Sequence, residues 1–169
     1  MTIDADLTGK TAVVTGGARG IGYAVARALA AEGADVALLD LLDSVEESAA
    51  RIAADFGVRT VGLRLDVTDQ DATAAAFARV GDELSVPQIL FTAAGIEING
   101  DSIDVTAQQG RTVIDVNPTG PSCAAHAGNA CQPRRPVRGA GPHGAARLRV
   151  GHGGERAGRP LRRVAGLAR

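Results

Sequence analysis

Short apolar runs alternate with longer stretches of mixed pattern through the first 117 residues. Four runs, Thr11–Thr15, Asp35–Asp40, 60–65 and 88–92, are rich in Val, Ile and Leu and apolar on successive residues. Such runs predict strands buried on both faces. Between them lie stretches of helical length. In one, Val45, Ala49, Ile52 and Phe56 recur at i, i+4, i+7 and i+11, a single stripe of a helix. Ser44 with Glu47, and Thr106 with Gln109, predict capping boxes at two helix starts, and Gly33 predicts where the first helix stops. This alternation predicts right-handed βαβ units and an α/β, doubly wound parallel sheet as far as Asn117.

After Asn117 the pattern is lost. Residues 118–169 are mostly Gly, Ala, Pro and Arg, with no Tyr, Trp, Phe or Lys, and no strand or helix period is expected beyond Ser122. Through Asn117 there are eight Lys and Arg against eighteen Asp and Glu; after it there are ten against one, although the whole chain carries only −1. The expected organisation is an ordered part over residues 1–120 and a disordered basic tail over 121–169. Cys123 and Cys131 supply no disulfide framework, and with His126, His143 and His152 they match no common zinc spacing. No run is long enough to span a membrane, and the first residues lack the features of a signal peptide. A cytoplasmic location is the default expectation.

The candidate chemistry lies in the first part. Thr15-Gly16-Gly17-Ala18-Arg19-Gly20-Ile21-Gly22 directly follows the first strand and opens the first helix. Glycines at 16, 20 and 22 permit a tight turn and close approach of a pyrophosphate, to which the helix start offers free N–H groups and a positive dipole end. A glycine-rich turn that binds nothing is the alternative; the strand–loop–helix context weighs against it. Asp40, at the end of the second strand, can accept hydrogen bonds from adenosine ribose hydroxyls and would repel a 2′-phosphate. Leu41 follows it rather than an Arg, which favours NAD over NADP, although Arg19 could still reach a phosphate. The alternative reading of Asp40 is a strand-end turn residue.

These features, with Leu65-Asp66-Val67, Thr92-Ala93-Ala94-Gly95-Ile96 and Val113-Ile114-Asp115-Val116-Asn117, resemble the short-chain dehydrogenase/reductase family. The resemblance implies a Rossmann-like sheet, here stopping at four strands in the order 3-2-1-4 with the edge of the fourth exposed. It implies that Asp66 and Val67 sit beside the adenine, that Ala93, Ala94 and Gly95 line the cofactor groove, and that Asn117 belongs to the catalytic group, near a proton-relay water. Alternatively, Asn117 is a helix residue satisfying local backbone. Thr92 and Ala93 stand where the family usually has two asparagines. Gly110 replaces a bulky aromatic residue and loosens its helix by about 1 kcal/mol.

The family's hydride transfer between nicotinamide and an alcohol or carbonyl substrate uses a Ser and a Tyr-x-x-x-Lys pair. This sequence has a single tyrosine, Tyr23, and a single lysine, Lys10; neither follows Asn117, and Ser122 comes too soon for the family serine. Pro118 adds about 3 kcal/mol to any helix continued through it. The chain is therefore expected to be inactive and marginally stable. The intact family's homo-oligomer would rely on helices that lie largely in the missing part. Three readings of the tail remain open. A change of reading frame near residues 121–123 of GC-rich DNA would explain its composition and loss of acids. A selected basic tail could contact RNA, DNA or an acidic partner, though it has no aromatic residues for base stacking. Or the chain is a non-catalytic dinucleotide-binding module with the tail as an interaction arm.

Overall fold

Thr11–Thr15 forms β1 with every residue buried, at the centre of a parallel sheet. The structure, a computed structural model, describes residues 6–98 and 105–132, all within the unit Met1–Arg134. Around β1 the chain builds α1 (Gly20–Ala31), β2 (Asp35–Asp40), α2 (Val45–Phe56), β3 (Thr60–Arg64), α3 (Gln70–Glu83) and β4 (Ile89–Thr92). The sheet order is β3-β2-β1-β4, all parallel, which matches the expected order. Two strands are a residue or so shorter than expected, yet the flanking amides still extend the ladder. Leu65 N donates to Asp40 O at 2.7 Å and Gln88 N to Thr11 O at 2.9 Å.

Contiguous apolar strands follow from burial on both faces. Val13, Ala37 and Leu39 point into a layer shared with Phe77, Val80, Ala124 and Ala127. Their strand neighbours Val14, Val36 and Leu38 point into the opposite layer, with Ala26, Ala30, Val45, Ala49 and Ile52. The helical stripe read in the sequence thus faces the sheet as expected. Helix α1 ends at Ala31 and Gly33 turns the chain at φ +89°. Among the described residues β4 pairs only with β1, so its other edge is the edge of the sheet.

Two expectations are corrected. Ser44 forms no capping box, because its backbone is already near-helical (φ −68°, ψ −2°) and its side chain makes no cap hydrogen bond. Its intended partner Glu47 pairs instead with Arg51 one turn on, at 2.6 Å. The Thr106–Gln109 box does form, opening α4 (Ala107–Ile114). Nor does helical structure end near Ser122: α4 runs through a π-helical turn, Asp115–Thr119, into α5 (Gly120–Ala130). Pro118 lies inside that turn. Lacking an N–H, it cannot satisfy the Ile114 carbonyl four residues back; the Thr119 hydroxyl donates to that oxygen instead, at 3.3 Å. Helix α5 then buries Gly120, Ala124 and Ala127 at i, i+4 and i+7. A Cβ on Gly120 would stand 2.7 Å from Val67 Cγ2, so only glycine lets α5 start this close to the chain after β3. Residues 133–169 of the expected tail, with His143 and His152, lie outside the described residues.

Gly110 sits inside α4 with nothing within 4 Å of the place a Cβ would occupy. Gly110→Ala is accordingly expected to raise unfolding free energy by about 1 kcal/mol, read by urea denaturation.

Candidate functional site

The loop between β1 and α1 owes its course to three glycines with three different reasons. Gly16 has φ +69°, and a Cβ there would lie 2.6 Å from Ala94 N, so the loop touches the backbone leaving β4. Gly22 has an ordinary φ, but its Cβ would meet Gly16 O at 2.1 Å; its absence lets the first turn of α1 close on the loop. Gly20 has φ +59° with nothing within 4 Å, leaving an open surface at the start of α1. That helix start has no acidic residue in its first turn and no side-chain cap. Its N–H groups are therefore available to an anion.

The loop forms one wall of a cleft of about 820 Å³ at the carboxyl ends of the four strands. Gly16, Arg19 and Gly20 line it from the loop, Asp40 from β2, Asp66 and Val67 from the end of β3, and Ala93, Ala94 and Gly95 from the end of β4. These expected residues are brought together. Ile21 and Gly22 are not on the wall: Ile21 is 76% exposed, and Gly22 is buried behind the loop.

Asp40 combines both positions weighed for it. It lines the cleft, and it also organises local backbone: Oδ2 accepts from Ala18 N at 2.9 Å and Oδ1 from Leu42 N at 3.0 Å. Asp66 closes a turn after β3, with Oδ1 accepting from Thr68 N at 2.9 Å and Thr68 Oγ1 at 2.7 Å. At the end of β4, Ala93 N donates to Thr15 O at 3.0 Å and Ala94 N reaches Thr15 Oγ1 at 3.4 Å. Asn117 does not line the cleft. Its Oδ1 accepts from Ile96 N at 2.9 Å and its Nδ2 donates to Ile96 O at 3.0 Å, a two-point clamp across twenty-one residues. It satisfies distant rather than local backbone, and ties the segment after β4 to the π turn.

Sequence reasoning missed two contributions. Thr112, Asp115, Val116 and Thr119 close the cleft from α4 and the π turn, a placement that no local sequence signal gives. Ser48, in α2, donates from Oγ to Ala18 O at 2.9 Å in a buried position. Among the described residues no group of three or more His, Cys, Asp or Glu could hold a metal, and no helix is long and apolar enough to cross a membrane.

Comparison with known proteins gives this arrangement a family context. Residues 10–130 match the sequence profile of the short chain dehydrogenases. That match runs past Ser122 to the end of α5. Oxidoreductase UcpA of Salmonella typhimurium is 36% identical over 111 residues, covering 66% of this chain and 42% of that protein. The cis-4-hydroxycyclohexanecarboxylate dehydrogenase of Sinomonas cyclohexanicum is 38% identical over 120 residues, 70% of this chain and 48% of that protein. The crystal structure of L-sorbose reductase from Gluconobacter frateurii, complexed with NADPH and L-sorbose, matches with a TM-score of 0.70 at 26% identity. That match covers 76% of this chain and 49% of the reductase. The chain thus spans about half the length of these relatives.

Proposed function

The chain belongs to the short-chain dehydrogenase/reductase family, and from that premise we propose that its cleft holds a nicotinamide dinucleotide, NAD in preference to NADP. One observation carries the reading: the uncapped start of α1 opens on the cleft at Gly20, whose left-handed backbone leaves space where a side chain would stand. The residues fit the group. Free N–H groups of the first turn suit a pyrophosphate. Asp40 suits ribose hydroxyls, Asp66 and Val67 the adenine edge, and Ala93, Ala94 and Gly95 the groove beyond. Such a cofactor, when bound, exchanges a hydride with an alcohol or carbonyl carbon.

NADPH in the L-sorbose reductase complex sets the competing preference. Here a carboxylate lines the cleft and is followed by Leu41 and Leu42, so a 2′-phosphate beside Asp40 would meet like charge. Calorimetric titration is expected to give NAD at least about tenfold tighter than NADP, equivalent to ~1.4 kcal/mol. Tighter NADP binding would overturn the assignment to Asp40.

The ancestral activity in this reading is NAD-linked oxidation or reduction of a small alcohol or carbonyl compound in the cytoplasm. The 169-residue polypeptide itself carries no Tyr-x-x-x-Lys and does not perform it. A change of reading frame accounts for the basic composition of the remainder; the family match to residue 130 supports placing it after that residue rather than at 121–123. Translating the coding DNA beyond codon 130 in all three frames tests this. A Tyr-x-x-x-Lys in another frame is the expected finding, and its absence from all frames would sink the idea.

A further inference from the structure

The glycine loop is held by a residue that does not line the cleft. Ser48 is only 4% exposed and shares the sheet-facing side of α2 with Val45, Ala49 and Ile52. A hydroxyl there costs stability unless it is bonded. Its hydrogen bond runs to the carbonyl of Ala18, in the middle of the loop, at 2.9 Å. The Ala18 N–H is taken from another side by Asp40 Oδ2, and Gly16 N and Gly17 N both donate to Leu39 O, at 2.7 and 3.3 Å. Backbone donors 16 to 18 are thus committed to the protein, and the carbonyl beyond them is fixed by Ser48.

We propose that Ser48 is a positioning residue for phosphate binding, acting through Ala18; this rests on the reading of the cleft as a dinucleotide site. In a trans peptide the C=O and the next N–H point in opposite directions. Anchoring the Ala18 oxygen on α2 therefore directs the Arg19 N–H away from α2, and Arg19 lines the cleft. The orientation of the first free donor at the start of α1 is set by a serine about thirty residues away, before any anion arrives. Such preorganisation favours ligand groups that the loop contacts and is indifferent to groups bound elsewhere.

The test uses fragments of the dinucleotide. ADP engages the loop through its pyrophosphate, whereas adenosine engages only the Asp40–Asp66 end. Calorimetry on the full chain should show Ser48→Ala weakening ADP about fivefold, the scale of one lost hydrogen bond, with adenosine affinity unchanged. Amide exchange at Ala18, whose N–H is held by Asp40 Oδ2 beside the carbonyl that Ser48 anchors, should quicken in the ligand-free protein of the same variant. Should Ser48→Ala fail to fold, Ser48→Cys keeps the size with a weaker donor, and the same split, smaller, is expected. Equal ADP affinity in variant and unaltered chain would refute the positioning role while leaving the dinucleotide reading intact. Equal weakening of ADP and adenosine would reduce Ser48 to a general packing residue. No ADP binding by the unaltered chain would remove the dinucleotide reading, and the positioning role with it.

Discussion

Purified 169-residue chain is expected to show no NAD-linked turnover of secondary alcohols or ketones above background. Its Tyr23 lies in α1, with the Arg27 guanidinium 5.9 Å from the ring centroid. Lys10 precedes β1 while the cleft lies beyond it, so the five residues of β1, at about 3.3 Å each, separate that ammonium from the site. Ser122 Oγ donates to Pro118 O at 3.1 Å, and both ends of the Asn117 amide are engaged by Ile96. No described residue stands in the cleft as a Tyr–Lys acid/base pair. Loss of a general acid/base alone costs about 10²–10⁴ in rate, and groups that act as a unit fail together. The measurement is absorbance of reduced nicotinamide over a panel of alcohols and ketones. Saturable turnover that tracks the purified chain would refute the proposed inactivity.

Gly22→Ala is expected to abolish detectable dinucleotide binding and to destabilise the fold by about 3 kcal/mol. The new methyl would sit 2.1 Å from Gly16 O and 2.8 Å from Gly16 C, far inside van der Waals contact. Gly16 cannot yield easily. Its N–H donates to Leu39 O at 2.7 Å, and its Cα faces the Ala93–Ala94 peptide with no room even for a Cβ. The first turn of α1 must therefore lift off the loop, which misplaces the N–H groups offered to the phosphates. Gly20→Ala provides the contrast in stability: it has open space but φ +59°, so the fold loses only about 1–2 kcal/mol to backbone strain, while the methyl enters the space proposed for the dinucleotide and weakens NAD binding. Urea denaturation and NAD titration of both variants check the pair. A Gly22→Ala protein as stable and as competent as its parent would refute the packing role of that glycine.

The strands were legible because burial on both faces leaves continuous aliphatic runs, and the cleft was legible because glycine spacing and an acid at a strand end are local signals. Contacts between distant segments were not. Ser48 reads as an ordinary helix residue until α2 is seen to pack on the loop, and the Asn117 clamp needs the segment after β4 to pass beside the π turn. Helix α5 was hidden by its own composition. Gly120, Ala124, Ala127 and Gly128 are small because the helix packs closely, with Gly128 facing the Phe77 ring and a Cβ there only 3.3 Å from Cε1. In a segment rich in Gly and Ala such a stripe resembles composition rather than period. Pro118 strengthened that misreading, since the residue that forbids a regular α-helix is accommodated by one π turn. Ser44–Glu47 failed in the opposite way: the motif was present, but the chain enters α2 already helical and leaves no free geometry for the cap.

The most direct measurement is calorimetric titration of the unaltered chain with NAD. Saturable heat at one equivalent is predicted, from a half-domain whose loop, Asp40 and α1 start are assembled around the cleft without the catalytic pair. A flat titration of folded protein would contradict it.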